Sequence, residues 1–198
     1  MPSALASTLG LRCGTGLGMT LLLDQQGPVQ DVCVKKPYWE TKTLAEMTAQ
    51  EWESLCDGCG LCCVIRFEDE ETGEVIPTRV HCRLFDPQTC RCSDYANRKR
   101  TVPDCIKLTP HNIEALEWMP RSCAYRRLHE GKDLPLWHPL LTGDPDSTHK
   151  AGVSIRRQTV SELALSDPEE ALDFAAWDLT ADFGDLDYDP DYPNVTEG

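Results

Sequence analysis

No long hydrophobic run crosses this chain of 198 residues, and Phe, Trp and Tyr together supply only 7% of it. The missing run excludes a transmembrane helix, which needs about 20 predominantly apolar residues in succession. The scarcity of aromatics limits the core, so something besides apolar burial is expected to help hold the fold. Basic residues are absent from a whole segment: Gln158 to Gly198 contains twelve acids and no Lys or Arg, so residues 1–157 carry only −2 of the net charge of −14. Between Arg79 and Arg127, by contrast, ten basic residues meet five acids. A basic middle and an acidic end read most simply as two solvated faces. The sharper reading has the acidic end folding over the basic module and screening it from outside anions.

Several function classes are also missing. There is no Walker loop, no Rossmann turn and no nucleophile–base pair at local spacing, and "RCGTGLG" near the N-terminus lacks the strand–helix frame that would give it meaning. No catalytic residue is assigned. The basic run Arg98 to Arg100 stands alone in a chain of pI near 4.7 without an aromatic-basic face, which argues against nucleic acid. The N-terminal stretch "MPSALASTLGLRCGTGLGMTLLL" has one Arg and scattered glycines, a poor match to a secretory signal, so a reducing cytoplasm is expected.

What the chain has in abundance is cysteine. Nine of its eleven cysteines lie between Cys56 and Cys123, an odd number that argues against a closed set of disulfides and for metal. Four fall in "LCDGCGLCCV", as Cys56-x2-Cys59-x2-Cys62-Cys63, followed by Cys82, Cys90-x-Cys92, Cys105 and Cys123. A CxxC pair at a glycine-containing turn can aim both sulfurs at one ion, because Gly58 and Gly60 tolerate the dihedrals the turn needs. Structural zinc takes four such ligands with sulfur at ~2.3 Å, while CxxCxxC also resembles part of the cluster-binding run of bacterial ferredoxins. Zinc and iron both stay open. Neighbouring side chains in an extended segment point to opposite faces, so Cys62 and Cys63 are not expected to serve one tetrahedral ion equally. One is a core residue, or the pair divides between two centres, or both line a multi-iron cluster. Cys13 and Cys33 read as incidental.

Around these thiols the pattern is of short elements. Thr43 with Glu46 and Thr48 with Glu51 are overlapping capping boxes for a helix running into Cys56. "VIRFEDEETGEVIPTRVHC" reads as a hairpin returning the chain to Cys82, and "DPQT" at Asp86 as a turn. Thr109 and Pro110 open a second helix, and "SCAYRRLHE" forms a third, ending at Gly131. "LPLWHPLLTGDPDST" reads as a Pro- and Gly-broken loop ordered by Trp137. "SDPEEALDFAAWDL" reads as an acidic amphipathic helix with Leu172, Ala175, Ala176 and Leu179 on its apolar stripe. The five histidines are spread out and expected on the surface.

The segments "CDGCGLCC", "HCRLF", "CSDYANR" and "PDC" together resemble the CxxCxxCC family of zinc- or iron-chelating domains, and "KPYWETKTLAEMTAQEWESLCDGCGLCC" with "LEWMPRSCAYRRL" resembles one bacterial branch of it, over about residues 37–157. The resemblance implies metal-ligand roles for Cys56, Cys59, Cys62, Cys63, Cys82, Cys92 and Cys105, with Cys90 and Cys123 only loosely included. Arg83, Arg91 and Arg98 would then offset thiolate charge, since four thiolates around Zn²⁺ leave about −2. The family often has Arg-Pro soon after the tyrosine, whereas "ANRKRTVPDC" separates Arg98 from Pro103; Tyr95 reads as a core-edge residue. The expectation is a small α+β domain of short helices and a β-hairpin organised around thiolates at residues 37–157. A flexible extension precedes it at residues 1–36, and an acidic helical or disordered tail follows at 158–198. The function expected is that of a cytoplasmic metal-binding protein holding zinc or iron. An iron–sulfur electron carrier or enzyme component is the alternative, and a metal-supply protein docking a protein partner through its acidic tail is another.

Overall fold

A hairpin brings the separated cysteines back on one another. The computed structural model describes residues 35–115 and 117–180, and every element below belongs to the unit that begins at Tyr38. The N-terminal extension with Cys13 and Cys33, and the end of the acidic segment, lie outside the described residues.

Helix α1 (Tyr38–Thr41) leads through a 3-10 turn at Leu44–Glu46 into α2 (Ala49–Ser54). The expected single helix from Thr43 is two pieces, because Thr48 is extended and starts a helix of its own. Its amide donates to Glu51 Oε2 at 2.8 Å and its Oγ1 accepts from the Glu51 amide at 3.2 Å, the reciprocal box the spacing predicts. After the cysteine run, β1 (Val64–Glu68) pairs antiparallel with β2 (Val75–His81), Val64 opposite His81 and Glu68 opposite Val75. This register sets the Cys82 amide against the Cys63 carbonyl at 3.0 Å. A second ribbon, β3 (Phe85–Asp86) and β4 (Arg91–Cys92), closes round the Asp86 turn, where the carboxylate accepts from the Gln88 amide and the Thr89 hydroxyl.

The helix expected from Thr109 is only a 3-10 turn, Ile113–Ala115. Asn112 Oδ1 accepts from both the amide and the hydroxyl of Thr109, at 2.8 and 3.1 Å, a local alternative to helical bonding. Beyond α3 (Arg98–Thr101) and α4 (Ala124–His129), the expected loop is instead two short helices, α5 (Pro139–Thr142) and α6 (Ser147–Lys150). The Pro and Gly that read as breaks are a helix start and stop: Pro139 is at the first helical position, and Gly143 follows the last at φ +71°.

The stretch from Gln158 joins the fold. Strand β5 (Val160–Ser161) pairs parallel with β2, and the Ala176 amide donates to the Pro77 carbonyl at 2.9 Å. The amphipathic α-helix expected here is a 3-10 helix at Pro168–Phe174, so the buried residues are Ala171 and Ala176 while Leu172 is exposed. Two acids on either side of that helix pair with the basic segment, Glu162 with Arg83 and Asp178 with Arg79.

The resulting α+β fold has two apolar clusters. One holds Cys59, Leu61, Val64, Phe85, Trp137 and Ile155, the other Trp52, Leu55, Ile113, Met119 and Tyr125. The cysteine run passes from one to the other between Leu55 and Cys59. Trp137, wholly buried, is the largest side chain of the first cluster. Trp137→Ala is expected to cost ~3–5 kcal/mol of unfolding free energy in a denaturant titration.

Candidate metal centre

Both glycines between the first cysteines take the left-handed conformation, Gly58 at φ +76° and Gly60 at φ +79°, folding the run back on itself. Gly60 is also sterically committed: a Cβ there would stand 2.7 Å from Phe85 Cζ and 2.8 Å from Ile155 Cγ1. The loop is tied down by Ile155, whose amide donates to the Cys59 carbonyl at 2.9 Å, and by Thr148 Oγ1, which donates to the Asp57 carbonyl at 3.2 Å.

Leu61–Cys63 then forms a 3-10 turn, which corrects the expectation that Cys62 and Cys63 face opposite ways. That expectation assumed an extended chain. On the turn their Sγ atoms stand 3.9 Å apart. A tetrahedral ion with sulfur at ~2.3 Å spaces its sulfurs about 3.8 Å apart, so the pair already forms one edge of such a shell. Among the described residues no three His, Cys, Asp or Glu side chains stand gathered tightly enough to hold an ion, so closing the shell requires further thiols to turn inward. The donor chemistry fits a thiophilic metal, and the geometry supplies one edge.

The electrostatics separate one acidified thiol from several that hold their protons more tightly. Cys62 and Cys56 keep exposed surface, yet protein crowds their sulfurs enough for desolvation to act. Cys62 is lowered to about 7, chiefly by the hydrogen bond with Cys63, working against desolvation, with help from the Arg66 charge. Cys63 moves up for the same reason. Desolvation, with the negative charges of Asp57 and Cys62, lifts Cys56 to about 12 and pushes Cys59 and Cys123 well up. Arg66 is held in place by donating to the carbonyls of Leu61 and Val64, with its guanidinium 4.5 Å over the Trp118 ring.

Cys82, Cys92 and Cys105 make a second neighbourhood. Cys92 lies opposite Phe85 across β3 and β4, and the Phe85 amide donates to the Cys82 carbonyl at 2.8 Å. Desolvation raises the Cys82 thiol, and the charges of Glu162, Cys105 and Cys92 add to it. Cys90 is a core residue, 5% exposed, at φ +52°, with its thiol lifted to about 11 by desolvation.

Three further expectations need correction. His81 and His138 are buried, not on the surface. His138 caps α5: Nδ1 accepts from the Leu140 amide at 3.1 Å, which leaves Nε2 to donate to the Leu55 carbonyl at 3.1 Å. Tyr95 is 51% exposed and donates to Glu53 Oε2 at 2.9 Å, because the Arg98 guanidinium covers its ring at 3.8 Å. Of the three arginines expected to offset thiolate charge, Arg98 lies on Tyr95, Arg83 is paired chiefly with Glu162 and interacts with Cys82 only secondarily, and Arg91 packs against Gly58 and acts on Cys56. The cation beside Cys62 is Arg66, which sequence reasoning passed over together with Asp57.

These shifts give a pH dependence for the metal-free chain. Buried thiols such as Cys59 and Cys90 hold their protons above the ordinary value of 9.0, so the folded state binds more protons than the unfolded one above that pH. Their contribution is complete below it and is lost as pH rises. With chelator present, the urea midpoint is expected to fall between about pH 8 and about pH 10, each fully buried thiol contributing up to ~1.4 kcal/mol per pH unit. A midpoint that rises over that interval contradicts the assignment.

Comparison with known proteins gives the same segment. A sequence family described as "CxxCxxCC: Putative zinc- or iron-chelating domain" matches residues 55–124. A UPF0260 protein of Caulobacter vibrioides (strain NA1000 / CB15N) is 76% identical over 157 residues, covering 79% of this chain and 97% of that protein. The UPF0260 protein of Caulobacter sp. (strain K31) is 74% identical over 80% of this chain and 98% of its own length. That of Azotobacter vinelandii (strain DJ / ATCC BAA-1303) is 56% identical over 71% of this chain and 96% of its own. No solved structure matches.

Proposed function

The chain belongs to the UPF0260 family, and from that premise we propose that it is a cytoplasmic metal-binding protein that holds zinc or iron through Cys56, Cys59, Cys62 and Cys63, with Cys82, Cys92 and Cys105 as further sulfur donors. The observation that carries this reading is the 3.9 Å separation of the Cys62 and Cys63 sulfurs, the edge of a thiolate shell. Cys62, already acidified, supplies the first thiolate, and Arg66 balances part of its charge. The other thiols carry protons that leave as they become ligands, so binding weakens as pH falls. The bound metal would cross-link segments that the small apolar clusters hold only modestly. Cytoplasmic residence fits free thiols, which a reducing compartment preserves. Among the described residues no helix is long and apolar enough to cross a membrane.

Anaerobic purification followed by elemental analysis tests the reading. A colourless chain with stoichiometric zinc, or an iron-loaded chain, is the expected result. Visible absorbance with about four irons per chain would identify the iron as a cluster. A chain isolated with neither metal, and taking up neither when both are supplied, overturns the proposal.

A further inference from the structure

Two observations extend the centre beyond the seven cysteines to which the resemblance gives ligand roles, to Asp57 and to the loosely included Cys123. The first is a buried acid. Asp57, only 7% exposed, sits inside the first CxxC; its Oδ1 accepts from the Cys59 amide at 3.1 Å, and its Oδ2 has no hydrogen-bond partner among the described residues. A buried carboxylate oxygen left this way has lost its hydration without replacement, and an ion or its bound water is one of the few things that satisfies it. The second is the docking of α4 on α2. The Tyr125 ring packs on the Trp52 ring at 4.6 Å and its hydroxyl donates to the Trp52 carbonyl at 2.9 Å. Trp52 stands four positions before Cys56, and Tyr125 two positions after Cys123, so this contact carries Cys123 to the cysteine run. The charges of Asp57 and Cys62 act on Cys123 in turn, behind desolvation. Beside it the Ser122 hydroxyl, in a residue 1% exposed, is also without a partner among the described residues.

We propose that Cys123 and the Asp57 carboxylate are ligands of the same centre as Cys56, Cys59, Cys62 and Cys63, which makes it a mixed sulfur–oxygen site. This rests on the metal-binding reading and sharpens it. Four thiolates alone close a structural zinc site; five sulfurs and a carboxylate oxygen are more donors than such a shell takes, so the oxygen can give way to a sulfur or to an incoming ligand without the ion being lost. The centre is then suited to binding an exogenous ligand or releasing its metal, and its purpose goes beyond stapling the fold.

Cobalt(II) substitution of the full-length chain tests this, since sulfur-to-cobalt charge-transfer absorbance reports the number of thiolates and the visible ligand-field bands report the whole donor set. Cys123→Ser is expected to lose one sulfur's share of the charge-transfer intensity. Asp57→Asn is expected to keep that intensity, shift the ligand-field bands and weaken cobalt affinity about ten-fold or more. In the unmutated chain, bound cobalt should shield Cys123 from iodoacetamide, and chelator should expose it; this readout does not depend on a variant folding. Either variant giving the unmutated spectrum, or Cys123 alkylating equally with and without cobalt, overturns the proposal while leaving metal binding intact. An unmutated chain that takes up no cobalt overturns the metal-binding reading, and this one with it.

Discussion

Replacing Cys62 and Cys63 together by serine is expected to leave the chain without metal and to remove up to ~10 kcal/mol of stability, the scale on which structural metal binding is folding energy. Among the described residues the pair is the one place where two sulfurs already stand at shell spacing, 3.9 Å apart, and the 3-10 turn that puts them there follows from Gly60. Losing it removes the preformed edge and the acidified thiol at once. Cys90→Ser provides the contrast. Cys90 is buried in the apolar cluster and is not among the proposed ligands, so its replacement should cost ~1–3 kcal/mol through burial of an unpaired hydroxyl while bound metal stays at the unmutated level. Metal content by elemental analysis and thermal unfolding, measured on both variants, separates the two effects. Retention of stoichiometric metal by the Cys62, Cys63 double variant would show that the edge is not where the ion is held.

Gly60→Val is the second large effect. A branched residue at φ +79° is strained by ~1–2 kcal/mol. Its Cβ would press on Phe85 and Ile155 at distances below any real contact, and overpacking of that kind costs ~1–3 kcal/mol more. The sum, about 2–5 kcal/mol, is expected in chemical denaturation. Some of the contact part should recover when Phe85→Leu is added, because Phe85 supplies the nearest atom; the Ile155 contact and the backbone part should remain. A double variant no better than Gly60→Val would mean that the Phe85 contact is not what makes the glycine necessary.

Much of the scaffold could be read from local chemistry. The Thr48 box, the hairpin that returns to Cys82 and the stop at Gly131 all depend on residues close in sequence, whose side chains or dihedrals decide the outcome by themselves. Failures came where a short-range competitor or a tertiary contact decided. Asn112 captured Thr109 and shortened a helix. The pairing of β5 with β2 drew the acidic stretch into the fold, with a 3-10 period that put Ala171 and Ala176 inside in place of Leu172. At the site, spacing pointed to the cysteines but not to their mutual orientation. Whether Cys62 and Cys63 converge depends on the turn they occupy, and a run of eight residues does not state its own dihedrals. Arg66 was hidden for a related reason. A lone arginine in a strand carries no spacing signal, and only the fold shows its guanidinium placed beside Cys62 by two carbonyls and Trp118. His138 looked like a surface residue because its neighbours are prolines and a leucine loop, and its role as a helix cap emerges only with α5.

Metal-edge X-ray absorption on the full-length chain, purified without oxygen, addresses the central claim most directly, because it counts the atoms bound to the ion and measures their distances. The account expects a first shell dominated by sulfur at ~2.3 Å. A shell of nitrogen and oxygen alone, at ~2.0–2.2 Å, would contradict it.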